Sequence, residues 1–144
     1  MKTTGKRFLA LILITGAVGI SVATYLYFKP HKNYATMKPD YILDARTLVD
    51  EYNESEAKAN EKYLGKVVQV RGLIKEYSGN PNGSFSIYLN DSFFGVTCTF
   101  DSAYAAYHQE LFNQLTLEQQ IDIKGRCDGI LTDVRLSKCS FVDP

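Results

Sequence analysis

The 144-residue chain has no tryptophan, only two histidines, three cysteines and a formal net charge of zero. The histidines, His31 and His108, lie far apart, so no metal centre is expected, and nothing else in the chain points to a cofactor. No Cys-x-x-Cys occurs, which removes the common dithiol redox motif. No Gly-x-Ser-x-Gly occurs, and neither histidine is positioned with an aspartate. Nucleophile–base catalysis therefore lacks its parts, so no catalytic residue and no enzyme activity are expected. No cysteine precedes Cys98, which excludes a lipid-modified cysteine near the N-terminus.

The zero net charge hides a division. Residues 1–42 carry Lys2, Lys6, Arg7, Lys29, Lys32 and Lys38 against Asp40 alone, so 6 − 1 gives +5; the remainder gives 10 − 15, or −5. An acidic body argues against a primary role on phosphate backbones, where Lys and Arg must displace counterions.

Between the two basic clusters runs an uncharged stretch that opens at Phe8 and closes at Phe28. Its length matches the roughly 20 residues that span a bilayer core. Basic residues precede it, and Tyr25, Tyr27 and Phe28 mark the far interface. Residues 1–28 are read as a cytoplasmic stub and a transmembrane signal anchor. The expected location is the cell inner membrane, single-pass, with the C-terminal domain extracytoplasmic. The competing reading is an exported protein cleaved after the small residues Ser21-Val22-Ala23.

Residues 29–42 hold Pro30, Pro39 and three lysines without periodicity and read as a linker. A helix is expected over residues 44–64, where Ala45, Leu48, Val49, Tyr52, Ala59 and Tyr63 recur at helical steps. Asp44 can cap it, Gly65 can end it, and Asn53 with Glu56 can cap a second segment. Glu51, Glu54, Glu56 and Glu61 read as a solvated helix face, with a cation- or partner-binding surface as the competing reading.

The rest reads as strands. Residues 66–74 set Val68, Val70, Gly72 and Ile74 on one face; β-branched residues suit a half-buried pleated surface. Asn80-Pro81-Asn82-Gly83 is a hairpin turn. Residues 84–89 alternate Phe85, Ile87 and Leu89 inward, and residues 94–100 alternate Phe94, Val96, Cys98 and Phe100. Residues 101–115 change to helical spacing. Residues 121–127 echo the first strand, with Gly125 matching Gly72, and both glycines read as bends that let a barrel close. A last strand covers residues 132–141, with a phase slip between Leu136 and Cys139 that indicates a bulge. Three strands, a helix and two strands are the order of a five-stranded Greek-key OB barrel (an α+β β-barrel), here with a leading helix, over residues 43–144.

The body resembles the tRNA_anti-like OB-fold family of small membrane-anchored or exported bacterial proteins, of the kind common in Bacteroidetes. The carriers are Tyr52-Asn53 and Ala59; Tyr63-Leu64-Gly65-Lys66-Val67-Val68 running into Val70-Arg71-Gly72; Val96-Thr97-Cys98-Thr99-Phe100; Ile123-Lys124-Gly125-Arg126-Cys127-Asp128-Gly129; and Val134-Arg135-Leu136 followed by Cys139. Gln119-Gln120 departs from the pattern, where Gly-Asp is more usual. The resemblance implies the fold and an anchored or exported body; it does not imply tRNA binding.

By alternation, Arg71, Tyr88, Lys124, Arg126 and Arg135 point outward and form the candidate binding face. OB barrels hold oligonucleotides or oligosaccharides on such faces, with aromatics to stack and cations for phosphate. The competing reading is an ordinary exterior whose charges pair with Asp122, Glu76 and Asp133. Phe93 and Tyr77 are a further candidate contact for a protein or glycan. Cys127 and Cys139 flank the last hairpin, and in an exported domain they are a possible disulfide, with Cys98 as an alternative partner. The function expected from these residues is a membrane-anchored extracytoplasmic binding module for a protein, peptide or glycan of the envelope. Nucleic-acid binding by the outer barrel face is the alternative.

Overall fold

A computed structural model describes the backbone of residues 2–28, 33–91 and 94–142, with side chains of the N-terminal segment from Ile12 onward. The chain divides into two compact units, residues 1–32 and 33–144.

The first unit is one helix, α1 (Lys2–Tyr27). Its described apolar side chains, among them Ile14, Val18, Ile20 and Leu26, are exposed. Among the described residues no helix is long and apolar enough to cross a membrane. The start of the expected span, residues 8–11, lies outside the described side chains.

The second unit contains a closed barrel. The strands are β1 (Tyr41–Asp44), β2 (Val67–Gly79), β3 (Phe85–Leu89), β4 (Val96–Phe100), β5 (Gln120–Ile130) and β6 (Val134–Phe141), hydrogen-bonded in the order β1-β2-β3-β4-β6-β5 with closure between β2 and β5. The five strands β2 to β6 make the OB barrel. Its core collects the predicted inward residues Val68, Val70, Ile74, Ile87, Leu89, Val96, Cys98, Phe100, Ile123 and Leu136, each no more than 1 % exposed. Fully burying each Val, Ile or Leu contributes about 1.5–3 kcal/mol before entropy is charged against it.

Helices α2 (Ala45–Glu54) and α3 (Glu56–Tyr63) add Leu48, Tyr52, Ala59 and Tyr63 to the same core. The break between them falls at Ser55, whose hydroxyl caps α3 by accepting from the Lys58 N–H, two residues later than the expected Asn53 cap. Gly65 follows α3 with φ +75, and its N–H donates to the Cys127 carbonyl at 2.8 Å. Between β4 and β5, α4 (Ser102–Tyr107) and α5 (Gln109–Asn113) bring Phe112 onto Phe85, Phe100 and Phe141, with ring centroids 4.5, 5.1 and 5.0 Å away.

Three expectations are corrected and a fourth is extended. Tyr41 and Ile42 are not linker: they open β1, which lies parallel to β2 with Tyr41 opposite Val68. The preceding segment is tied down as well, because Asp40 exchanges two hydrogen bonds with the Val67 backbone, at 2.7 and 2.8 Å.

Phe94 is not an inward strand residue. It is 67 % exposed, because the chain turns tightly at Gly95. A Cβ on Gly95 would lie 2.2 Å from the Leu89 and Asp91 carbonyl oxygens.

Cys127 and Cys139 do not pair, and all three cysteines are free and buried. The bulge at Lys138 (φ +50) sets Arg126 opposite Ser137 and Lys124 opposite Ser140, which sends the two thiols to different neighbours. Cys127 Sγ lies 3.3 Å from the Tyr52 hydroxyl, whereas Cys139 lies beside Cys98.

Gly125 does more than bend its strand. A Cβ there would meet Cys139 Sγ at 2.6 Å, so the glycine makes room for the sulfur. Gly72 likewise admits Asn90, Ala45 and Leu89 at 3.0–3.1 Å from the position its Cβ would take.

Candidate binding surfaces

The structure divides the five candidate residues between two parts of the barrel exterior. Arg71, Lys124 and Arg126 lie on the β2–β5 pair. There the antiparallel register sets Arg71 opposite Asp122, Gln69 opposite Lys124 and Val67 opposite Arg126. Tyr88 and Arg135 lie on the other part, in a row that runs from Glu76 through Tyr88 and Thr97 to Arg135 across β2, β3, β4 and β6.

All three cations of the first part are engaged. The Arg71 guanidinium makes a two-point contact with Asp122, at 2.8 and 2.9 Å. Its charge and hydrogen bonds hold the Asp122 carboxyl below the usual carboxylate range. The Lys124 ammonium donates to the carbonyls of Ala35 and Met37, both at 2.8 Å. Arg126 contacts Asp128 at 2.8 and 2.7 Å. Tyr34 also lies beside the Arg126 guanidinium and under the Lys138 ammonium, 5.6 Å from ring centroid to nitrogen. The segment just before β1 thus forms a strap over β5 and β6.

The second part keeps its groups free. Among the described residues neither Tyr88 nor Arg135 has a hydrogen bond or ion pair from its side chain. Thr97 between them is 5 % exposed, and its hydroxyl has no partner. Of the carboxylates expected to neutralise the face, Asp122 does so; Glu76 and Asp133 make no ion pair among the described residues.

A groove that alternation did not foresee runs between α2 and the middle of β2. Two adjoining cavities of about 290 and 480 Å³ share Arg46, Asp50, Leu73 and Asn90. The first extends to Asp44 and Arg71, the second to Asn53, Lys75 and Phe94. Asn90 sits at φ +66 and accepts the Leu73 N–H through its Oδ1 at 3.0 Å, which fixes the floor. The nearest signal in the sequence was Leu73 on the outward face of its strand; the exposure of Phe94 depends on the Gly95 turn and had none. Tyr77 is exposed, stacked on Phe85, with its hydroxyl donating to the Leu115 carbonyl at 3.3 Å. Phe93 lies outside the described residues.

The acidic helix set is partly engaged too. Glu51 takes the Lys62 ammonium at 2.9 Å and the Tyr63 hydroxyl at 2.9 Å, which join α2 to α3 and lower the Glu51 pKa. Among the described residues no cluster of three or more His, Cys, Asp or Glu groups could hold a metal ion. The thiols are electrostatically quiet: burial pushes Cys127 up and Cys139 well up, away from thiolate character.

With the barrel and its leading helices in view, comparison with known families is decisive. The tRNA_anti-like family model matches residues 1–141. The chain belongs to the tRNA_anti-like family. No curated protein matches it. Among solved structures, the fold is shared with a lipoprotein of Klebsiella pneumoniae that carries a provisional nucleic acid-binding description. That protein is 22 % identical, with 79 % of this chain and 99 % of the lipoprotein covered and a TM-score of 0.56. An aspartyl-tRNA synthetase of Leishmania major, also provisionally described, is 14 % identical, with 82 % of this chain covered and a TM-score of 0.47. This chain spans only 24 % of that enzyme. At such identities the likeness of this tRNA_anti-like family member to the Klebsiella lipoprotein concerns the fold alone.

Proposed function

We propose that this tRNA_anti-like protein is a membrane-anchored, extracytoplasmic binding module that takes a protein, peptide or glycan of the cell envelope, without enzymatic activity. The observation that carries the reading is the engagement of Arg71, Lys124 and Arg126 by Asp122, by the strap carbonyls and by Asp128. A phosphate backbone needs cations that are available to replace counterions, and here three of the four predicted ones are held by the protein's own oxygens. The acidic body adds to that repulsion.

The location rests on the sequence and on α1. The uncharged run from Phe8 to Phe28 has the length of a bilayer span, and the described apolar side chains of α1 are exposed. With no cysteine in this segment, the helix itself serves as the anchor. Cleavage after Ser21-Val22-Ala23 is the variant of this reading in which the body is released on the same side. Fractionation with protease protection tests both: the body should be outside the cytoplasm, and recovery from the soluble cytosol overturns the location.

A second reading, nucleic-acid binding, has one observation in its favour. Tyr88 and Arg135 stand free on either side of Thr97, an aromatic and a cation on one exterior row. The Klebsiella relative's provisional description points the same way. Titration with an oligothymidylate separates the readings: affinity weaker than about 100 μM at low salt supports the first, whereas tighter binding that falls steeply with salt overturns it in favour of the second.

A further inference from the structure

We infer that the groove between α2 and β2 binds an extended peptide that alternates basic and apolar side chains, a segment of another envelope protein. This rests on the reading above of the protein as a binding module, and it moves the site off the exterior row of Tyr88 and Arg135.

The two walls of the groove differ in chemistry. The wall formed by the end of β1 and by α2 presents Asp44 and Asp50, and neither makes an ion pair among the described residues. The opposite wall presents Leu73, 39 % exposed, and Phe94, 67 % exposed. The basic side chains that reach the groove from β2 do not balance the carboxylates. Arg71 is bound by Asp122 and attracts Asp44 only from beyond ion-pair distance, and Lys75 is bound by Glu118 at 2.8 Å. Arg46, which lines both cavities, makes no ion pair among the described residues and offsets only one of Asp44 and Asp50, while Asp91 adds a third carboxylate to the second cavity. The groove therefore carries an excess of carboxylate along the α2 side and exposes Leu73 and Phe94, among polar neighbours, on the other.

An extended chain sends successive side chains to opposite sides. Laid along this groove, it would place every second residue against Asp44 and Asp50 and the intervening ones against Leu73 and Phe94. Basic alternating with apolar is the pattern complementary to both walls. The walls are already held in place: Gly72 lets Ala45 and Asn90 approach closely, the Asn90 amide is tied to the Leu73 N–H, and the Gly95 turn holds Phe94 outside the barrel core. Such preformed walls reduce the ordering cost of binding.

The test uses the full chain in zwitterionic lipid nanodiscs, with empty nanodiscs as the blank. The probes are three labelled, capped pentapeptides: Leu-Lys-Leu-Lys-Leu, Leu-Glu-Leu-Glu-Leu and Ser-Lys-Ser-Lys-Ser. The first should bind with a Kd below about 100 μM, and the other two about tenfold more weakly or worse. Asp50→Asn and Phe94→Ser, both surface changes, should each weaken the first peptide by about threefold to tenfold. Equal affinity for the lysine and glutamate peptides, or no effect of either substitution, overturns the inference. If the lysine peptide binds but Arg135→Ala abolishes it, the groove is wrong and the reading as a binding module stands. If no peptide binds while oligothymidylate does, both fall.

Discussion

The β2–β5 exterior and the Tyr88–Thr97–Arg135 row belong to one barrel and obey one alternation, yet they present different chemistry. On β2–β5, register brings a carboxylate directly across from Arg71, and the strap before β1 lays two carbonyls on Lys124. On the row, a neutral threonine stands between Tyr88 and Arg135, and no described residue pairs with either side chain. Pointing outward is thus a property of a residue within its strand. Being available to a ligand is a property of what lies across from it.

The strongest way to disturb the closed side is from beneath. Gly125→Ala would drive a methyl into Cys139 Sγ, with backbone and Leu136 also close, and leave the sulfur little room. The expected loss is about 1–3 kcal/mol, read as a lower denaturant midpoint, while an exterior change such as Arg135→Ala should stay within about 0.5 kcal/mol.

The thiols under this sheet give the next effect. Burial raises the folded pKa values of Cys127 and Cys139, so their contribution to stability is complete below the unfolded value of about 8.5 and declines as pH rises above it. Denaturation midpoints should fall from pH 8 to pH 10, by up to about 1.4 kcal/mol per thiol per pH unit. Substituting Cys127 with alanine should reduce that slope. The native protein, purified from its own compartment, should resist alkylation at all three cysteines until it is unfolded without reductant. A mass shift that reports a Cys127–Cys139 bridge would overturn the assignment of free thiols.

Removing the strap's anchor comes third. Lys124→Met deletes two ammonium–carbonyl bonds and should cost about 1 kcal/mol. Its more specific readout is faster amide exchange in residues 33–40, with the Tyr88–Arg135 row unchanged. Uniform acceleration across the barrel would mean that the strap is integral to it and not a layer upon it.

The smallest effect concerns Arg71. Because Asp122 has a lowered folded pKa, its contribution is present above the unfolded value of about 3.9 and is lost as pH falls through the folded value. Asp122→Asn should therefore flatten the acid limb of the stability curve slightly and free Arg71. If the freed guanidinium raises oligothymidylate affinity several-fold, the contrast between the two faces is electrostatic in origin; no change would place its origin elsewhere.

Much of this architecture was readable in the chain. Period-two alternation in Val68-Val70-Ile74, Phe85-Ile87-Leu89 and Val96-Cys98-Phe100 requires strands with one buried face, because side chains one residue apart leave opposite sides of a sheet. The change to helical spacing after Asp101 placed the intervening helix, and the phase slip after Leu136 located the bulge at Lys138. The five exterior residues were also identifiable, since the inward set determines the outward one.

Partners across strands were not readable in the same way, because they depend on register and on segments distant in sequence. Lys124 meets the carbonyls of Ala35 and Met37 only after the chain has gone round the barrel. Cys139 and Cys127 face different neighbours only because a bulge intervenes. Phe94 looked like one more alternating residue until the Gly95 turn excluded it. Local pattern is encoded by the spacing of apolar side chains along the chain. Which charges are satisfied, which thiols meet and where a groove opens are set by contacts that exist only once β2 has closed on β5.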